Sequence, residues 1–132
     1  MAGFRPNEGR ELSGNMLLKN ITTDRGTDLE LGLFTTPSPT ATITEATIAE
    51  PSGGGYARIV LDDATWTEAA EVFNYVKQTF TANGGDWTNV VGYFIATRGA
   101  TKRLLAVEVN PTGIVSVTDG NEYSIAPQMT VL

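Results

Sequence analysis

From residue 29 onward, the chain alternates between short apolar segments and clusters of turn-forming residues. Residues 29–35 alternate apolar and polar side chains, the period of two that is typical of a half-buried strand. Pro, Gly, Asn and Asp then interrupt the chain roughly every ten residues, and these residues favour turns or cannot continue strand pairing. The pattern predicts an all-β fold of about eight antiparallel strands, a jelly roll or a related β-sandwich.

The other predicted strands repeat this pattern. They cover residues 56–61, 89–97, 103–109, 114–117 and 123–132, with a weaker edge strand at 42–48. Residues 89–97 are the most apolar, so we expect this strand at the centre of a sheet. Val72, Val76 and Phe80 have helical spacing, but the β-branched and aromatic residues around them favour a strand over about residues 72–81.

Residues 1–28 differ from the rest, because they are polar and glycine-containing around one apolar cluster. Leu12 and Met16 are four residues apart, which allows a short helix, although Gly14 weakens it by about 1 kcal/mol relative to alanine. The segment is predicted to be either an arm that is ordered only against another surface or a short helix that closes one end of the core. The chain is therefore divided into an N-terminal arm, 1–28, and a β-sandwich domain, 29–132.

The composition excludes several classes of function. The 132 residues include no cysteine and no histidine, which removes thiolate nucleophiles, imidazole bases, disulfides and the usual zinc ligands. Nine basic and fifteen acidic residues give a formal charge of −6, whereas nucleic-acid binding requires a basic surface. Residues 1–8 contain no apolar run of the kind found in a secretory signal, and no apolar run approaches the roughly 20 residues of a membrane-spanning helix, so we expect neither feature. We predict a soluble, non-enzymatic protein made in a cytoplasm, with no catalytic residues, cofactor, metal, nucleic-acid partner or membrane partner.

Several motifs that could carry chemistry are explained more simply as turns. Gly53-Gly54-Gly55 lacks the Gly-Lys-Ser/Thr ending of a P-loop, so we predict a flexible turn. The segment from Asp119 to Glu122 does not match an EF-hand calcium loop. Three carboxylate pairs lie in or beside predicted turns, where aspartate is favoured: Asp62/Asp63, Glu68/Glu71 and Asp119/Glu122.

Six aromatic residues could line a sugar-binding face or fill the core. They are Tyr56, Trp66, Tyr75, Trp87, Tyr93 and Tyr123. Most of them lie within strongly apolar segments, so we expect them in the core, with their polar tips reaching partners at its edges.

A series of short motifs runs in a fixed order along the chain. The series comprises Leu33-Phe34-Thr35 with a proline-rich turn, Thr44-Glu45-Ala46, Gly55-Tyr56-Ala57-Arg58, Trp66, Gln78-Thr79-Phe80-Thr81, Val90-Val91-Gly92-Tyr93-Phe94-Ile95, Leu104-Leu105-Ala106, Asp119-Gly120 and residues 125–132. Asn7-Glu8 and Met16-Leu17-Leu18 precede it, and only residues 68–75 depart from the pattern. In this order the motifs resemble a family of small virion proteins of tailed bacteriophages, described as structural, capsid-decoration or tail-fibre-like proteins.

The resemblance implies a jelly-roll or related β-sandwich that assembles on virions and has no catalytic residues. It leads to the prediction of a capsid decoration, or cement, protein on the outer surface of the virion capsid, which stabilises the shell through many modest contacts. The expected partners are the major capsid protein and further copies of the chain, as a homo-oligomer for which a trimer is expected. A tail, baseplate or fibre-attachment module for host adsorption is the alternative, and a carbohydrate hydrolase is a more distant one.

The N-terminal segment supplies the predicted contacts with a neighbouring subunit, because it has too few apolar residues to fold alone. The predicted interface residues are Phe4, Leu12, Met16, Leu17 and Leu18.

Overall fold

The computed structural model describes residues 2–130, which form one helix and twelve strands. The helix α1 spans Asn7–Lys19. The strands are β1 (Ala2–Phe4), β2 (Leu29–Phe34), β3 (Ile59–Leu61), β4 (Thr67–Ala69), β5 (Val72–Asn74), β6 (Gln78–Thr81), β7 (Trp87–Val90), β8 (Gly92–Thr97), β9 (Leu104–Val109), β10 (Val115–Val117), β11 (Glu122–Ile125) and β12 (Gln128–Thr130).

Every strand pairing in this range is antiparallel, which confirms the predicted all-β character. The predicted number of strands is too low, because several of the expected strands are broken by bends. The last two residues of the predicted C-terminal strand lie outside the described range.

The main sheet contains five strands in the order β1-β9-β8-β2-β3. The central position of β8 agrees with the prediction for the most apolar segment, but that segment is broken at Val91 into β7 and β8. The next residue, Gly92, lies so close to the carbonyl oxygen of Glu108 that a Cβ there would overlap it. A glycine at this position therefore lets the chain pass from one pair of strands into the main sheet.

The central strands β2 and β8 of the main sheet are buried on both faces, so the expectation of a half-buried strand at β2 is wrong. All six residues of β2 are buried. Leu29, Leu31 and Leu33 belong to one core cluster, on the side that we call the hairpin face. Phe34 belongs to a second cluster, on the opposite side that we call the loop face.

Three strand pairs cover the hairpin face. They follow one after another where two long segments of the chain run antiparallel. Residues 72–90 pair with residues 115–130 through β5–β12, β6–β11 and β7–β10. Backbone hydrogen bonds from Tyr75 N to Pro127 O and from Ala82 N to Asn121 O bridge the gaps between these pairs. Because β8 and β9 continue the pairing, residues 72–130 form one long, bent antiparallel ribbon.

Residues 67–81 adopt strands rather than the helix that the spacing of Val72, Val76 and Phe80 would allow. β4 and β5 form a tight hairpin, and the chain then leaves strand geometry before β6. Phe80 is buried in the hairpin-face core, whereas Val76 is 62% exposed. These side chains therefore do not form one apolar stripe.

The loop face is covered by a segment without strands, residues 35–58. The predicted edge strand at 42–48 is wrong, because turns replace it: Ile48 N donates to Thr44 O at 2.9 Å, and the Thr47 hydroxyl accepts from Thr44 N at 3.0 Å. Threonine hydroxyls compete in this way with sheet pairing. Ile43 and Ile48, each 8% exposed, pack in the loop-face cluster.

The predicted strand at 56–61 is shortened to β3, because its first residues bond to side chains or backbone elsewhere. The Tyr56 hydroxyl donates to Glu50 Oε1 at 2.6 Å and accepts from Leu33 N at 2.9 Å. The Arg58 guanidinium donates to Glu30 at 2.6 Å. These bonds hold the end of the 35–58 segment against β2.

The predicted turns are confirmed at residues 83–86, 110–113 and 119–121. Gly53, Gly54 and Gly55 also form a turn, each with a positive φ, and Gly53 O accepts from Trp87 Nε1 at 3.2 Å. A Cβ on Gly54 would lie 2.6 Å from that nitrogen, so close packing also requires the glycine.

The carboxylates singled out in the sequence support turns. Asp62 Oδ1 accepts from Ala64 N at 2.8 Å, and Glu68 Oε2 accepts from Glu71 N at 3.0 Å. Asp119 Oδ1 accepts from Gly84 N at 2.9 Å.

The six aromatic residues pack in the hairpin-face core, as expected. Trp87, Tyr75 and Tyr93 are buried, and the other three are partly buried. The hydroxyls of Tyr56, Tyr75 and Tyr123 all make hydrogen bonds.

Candidate interaction surface around helix α1

Backbone geometry sets both ends of helix α1. Pro6 precedes the first turn, where its missing N–H removes no helical bond, and its carbonyl accepts from Gly9 N at 3.0 Å. Asn20 ends the helix in the left-handed conformation, with φ 55°, and the following N–H, of Ile21, donates to Asn15 O at 3.0 Å. The local sequence thus defines a helix of 13 residues.

Glu8 and Gly9 fix the first turn of α1 against β9. Glu8 is 9% exposed, and its Oε1 accepts from Leu104 N and from Glu45 N, both at 2.7 Å. A Cβ on Gly9 would lie 2.5 Å from Leu104 O, so the helix backbone approaches the strand as closely as only glycine allows. Leu12, one turn further on, packs in the hairpin-face core.

Of the two predicted structures for the N-terminal segment, the described residues adopt the short helix. They also form an edge strand, because β1 pairs with β9 with Gly3 opposite Glu108. Residues 2–19 thus pack against the same sheet that residues 29–130 build.

The five predicted interface residues have very different exposures. Leu12 is only 4% exposed and cannot reach a partner from this position. Phe4 and Met16 are partly buried. Leu17 and Leu18 are 80% and 87% exposed, the most exposed large apolar side chains in the described range.

Two grooves flank α1, and all five of these residues line one or the other. The first, which we call the Leu17 groove, has a volume of about 730 Å³ and is lined by Phe4, Arg10, Gly14, Leu17, Leu18 and Pro39, among others. The second, the Trp66 groove, has a volume of about 330 Å³ and is lined by Leu12, Met16, Arg25, Trp66, Phe73 and Met129, among others.

The sequence did not predict which residues line the side of the Leu17 groove opposite α1. Pro39, Thr40 and Ala41 lie next to α1 because Asn7 N donates to Ala41 O at 2.8 Å, a contact between segments with no shared pattern. Ile21, which follows the end of α1, is a further exposed apolar side chain, at 46%. Its place in the N-terminal apolar cluster was the available signal for including it.

Positive charge without an ion-pair partner is concentrated around α1. Arg58, Arg98, Lys102 and Arg103 each pair with carboxylates, and one of the partners of Arg103 is Glu8 of α1. Among the described residues, no such pair is formed by Arg5, Arg10, Lys19 or Arg25. These four unpaired cations stand out in a chain of net charge −6, and they lie beside the two acidic residues of α1, Glu8 and Glu11.

Arg5 lies between the two grooves and lines both. Its guanidinium donates to Ser13 Oγ at 2.5 Å and to Gly9 O at 3.2 Å. Burial and then the charge of Arg10 lower the pKa of Arg5 from its usual value. Both causes disfavour an unneutralised cation here, so a nearby anion would stabilise it.

Asp28, Asp62 and Asp63 bring carboxylate oxygens within 4.8 Å of one another. Hydrogen bonds within the loops account for two of them: Asp28 Oδ1 accepts from Asp63 N at 3.1 Å, and Asp62 caps its own turn. These contacts assign a role in the turns, with no further chemistry required.

Comparison of the chain with protein-family models, with curated proteins and with solved structures finds no match in any of the three. Among residues 2–130, no helix has the length and apolarity needed to cross a membrane.

Proposed function

We propose that the chain is a structural protein of a tailed-phage virion, a decoration protein that binds the outer surface of a capsid shell through helix α1. The observation that carries this proposal is the exposure of Leu17 and Leu18, at 80% and 87%. Ile21, 46% exposed, follows three residues later in the chain, so the end of the helix and the residues after it present apolar side chains to solvent.

An exposed apolar group of this kind favours a docking function. Soluble proteins keep contiguous apolar patches small, and the larger ones commonly mark contact sites. The leucines belong to a helix that Glu8 and Gly9 hold against β9, so little ordering of the backbone would be needed on binding. Many copies, each with a modest contact of this type, would reinforce a shell through multivalency.

The finer description of the fold, a jelly roll, is part of the same proposal. A jelly roll packs two antiparallel sheets face to face. The long ribbon of residues 72–130, bent so that its paired strands cover the main sheet, supports such an arrangement.

The major capsid protein and further copies of the chain are the proposed partners, with a trimer as the proposed oligomer. Copy number separates this function from a tail or baseplate role. Hundreds of copies per particle favour decoration of the capsid, whereas a few dozen or fewer at one vertex favour the tail.

The test replaces Leu17 and Leu18 by serine in one variant. Removal of residues 1–20 is a poor test, because it would delete β1 and a core leucine as well as the exposed surface. The control variant is Val76→Ser with Ile114→Ser, since these side chains are 62% and 60% exposed and do not line either groove.

Each purified protein is added to phage heads that lack it, and the bound copies are counted by quantitative mass spectrometry and located in averaged particle images. We expect the Leu17/Leu18 variant to bind at least about tenfold more weakly, equivalent to about 1.4 kcal/mol, and the control to bind like the wild type. Equal binding by the Leu17/Leu18 variant and the wild type would contradict the proposal. Thermal unfolding checks that both variants remain folded.

A further inference from the structure

The Trp66 groove combines an apolar lining with cationic edges. Leu12, Met16, Leu29, Leu105 and Met129 supply aliphatic or thioether surface, and Phe73, 37% exposed, lies at the opening toward solvent. The two methionines are unbranched and can adapt to the shape of an entering group. The groove is therefore suited to one large apolar side chain.

The unpaired arginines that line this groove favour an anion. Arg5 and Arg25 line it, and neither forms an ion pair with a carboxylate of the described residues. Within residues 2–130, the Arg25 guanidinium donates only to backbone oxygens of its neighbours, Gly26 O at 3.3 Å and Thr27 O at 2.9 Å. Asp63 is the one acidic residue in the lining, and it belongs to the carboxylate cluster with Asp28 and Asp62. Among the described residues, no carboxylate of that cluster lies within ion-pair distance of Arg5 or Arg25.

Trp66 also lacks a partner. Its Nε1 is the only buried side-chain donor in residues 2–130 without an acceptor. The other tryptophan differs, because Trp87 Nε1 donates to Gly53 O. Buried polar groups are normally paired, and an acceptor that enters the groove could satisfy this one after a rotation of the indole ring.

We propose that the Trp66 groove binds a segment of a partner protein in which a large apolar side chain stands next to a carboxylate. The apolar side chain would pack between Met16, Phe73 and Met129, and the carboxylate would bond to Arg25. Charge complementarity decides the class of occupant, because arginine binds carboxylates through paired N–H groups.

The volume of the groove favours a side chain over a larger ligand. At about 330 Å³ it lies near the lower limit of pockets that enclose small molecules, roughly 300 to 1,000 Å³. The groove lies beside α1 on a different surface from Leu17 and Leu18, and the inference does not depend on a virion role.

The test uses ¹H–¹⁵N NMR, because the two tryptophans give two indole cross-peaks and Trp87 serves as an internal control. The probe is the peptide Ac-Leu-Asp-Leu-NH₂, titrated into the full chain. Two matched peptides separate its parts: Ac-Leu-Asn-Leu-NH₂ lacks the charge, and Ac-Ala-Asp-Ala-NH₂ lacks the large apolar side chains. Trp66→Phe assigns the cross-peak.

We expect the acidic leucine peptide to shift the Trp66 peak and to leave the Trp87 peak in place. Each matched peptide should bind at least about fivefold more weakly than the acidic leucine peptide. Arg25→Gln should abolish the preference for aspartate over asparagine. Lys77→Gln should retain it, since Lys77 also lacks an ion pair but does not line the groove.

Three outcomes would overturn the proposal: no shift of the Trp66 peak, equal binding of all three peptides, or an unchanged preference in Arg25→Gln. Octanoate is titrated as a further probe. A Trp66 shift with octanoate and with none of the peptides would assign the groove to a small amphipathic acid instead. None of these measurements uses phage heads, so their failure is distinguishable from failure of the capsid-binding proposal.

Discussion

The two faces of the main sheet are buried by different means. On the hairpin face, Leu31 and Ile95 pack against apolar and aromatic side chains from paired strands, among them Phe80 and Trp87. On the loop face, the covering segment of residues 35–58 contains no strand. A network of charged side chains connects it to the sheet.

Arg58 is the centre of that network. Its Nη1 lies 2.6 Å from Glu30 Oε1 and 2.9 Å from Glu45 Oε2, and its Nη2 lies 2.8 Å from Glu50 Oε2. The guanidinium carbon is also 4.9 Å from the centre of the Phe94 ring. One side chain thus joins β2 and β8 to two positions in the covering segment.

The strand pairs on the hairpin face and the 35–58 segment on the loop face are held against the main sheet by different kinds of interaction. Paired strands satisfy their own backbone groups, so they can cover a sheet with apolar area alone. A segment without strand pairing lacks that order, and specific polar contacts must select one conformation from many. We therefore expect the hairpin face to respond most to lost volume and the loop face to lost charge.

The largest effect is expected from Leu31→Ala on the hairpin face. Leu31 is fully buried, and truncation leaves a cavity among side chains fixed by two layers of strands. We expect the free energy of unfolding to fall by about 4 kcal/mol, measured by urea denaturation. Val60→Ala in the same sheet, at a position 46% exposed, should cost less than about 0.5 kcal/mol. If the two variants lost similar amounts of unfolding free energy, buried side-chain volume would not be what stabilises the hairpin face.

The next effect is expected from Arg58→Met on the loop face. The substitution keeps apolar contact with Phe94 but leaves three carboxylates without their shared partner, so we expect a loss of about 3 kcal/mol. Lys102 and Arg98 remain 2.9 and 3.5 Å from Glu30 and limit the loss. Proteolysis should also cut the 35–58 segment faster than in the wild type.

The double variant Glu30→Leu with Arg58→Met tests whether charge is responsible. Removing the buried carboxylate along with its partner should restore at least about 1 kcal/mol of the loss. If the double variant is less stable than Arg58→Met, apolar packing rather than charge compensation dominates on this face too.

The hairpin face was largely predictable from sequence, whereas the loop face was not. Alternation at Leu29 to Leu33 and the apolar run around Ile95 identify strands through their local pattern. The partner of Glu30 is Arg58, 28 residues away. Nothing periodic marks that pair. The weak alternation of residues 42–48 likewise predicts a strand where the folded chain forms turns closed by local threonine hydrogen bonds.

The candidate site was predictable to a similar, partial extent. The apolar cluster around Leu17 and Leu18 identifies one side of each groove from local composition. The facing walls come from Pro39 and Trp66, which only the folded chain brings to the helix. Sequence could not separate buried Leu12 from exposed Leu18 either, because that difference depends on how α1 lies on β9.

A smaller effect is expected at the hairpin of β4 and β5, which belongs to the layer covering the hairpin face. Ala70 and Glu71 connect these strands with φ values of 51° and 70°. Two-residue hairpins require this left-handed region, which residues other than Asn and Gly disfavour. Ala70→Asn with Glu71→Gly should raise the free energy of unfolding by about 1 kcal/mol. No gain, measured by urea denaturation, would mean that this turn does not limit the stability of the layer.

The smallest effects are expected from pH, and they should have opposite signs on the two faces. Burial alone would raise the pKa of Glu50 on the loop face, but hydrogen bonds from Arg58 and Tyr56 lower it below its usual value of 4.5. On the hairpin face, burial raises the pKa of Glu108, whose Oε2 has no hydrogen-bond partner in the described range. Glu108 lies on that face because it stands directly opposite Tyr93.

The stabilisation from Glu50 is complete above pH 4.5 and is lost as the pH falls through its lowered pKa. Ionised Glu108 lowers the free energy of unfolding. This destabilisation is complete above the raised pKa of Glu108 and is relieved as the pH falls toward 4.5. In thermal unfolding, Glu50→Gln should therefore be less stable than the wild type at pH 7, and Glu108→Gln more stable. Both differences should shrink in acid, that of Glu108→Gln at the higher pH. If the gain in Glu108→Gln persists unchanged below pH 4, it does not arise from the charge, and the contrast between the faces does not extend to their carboxylates.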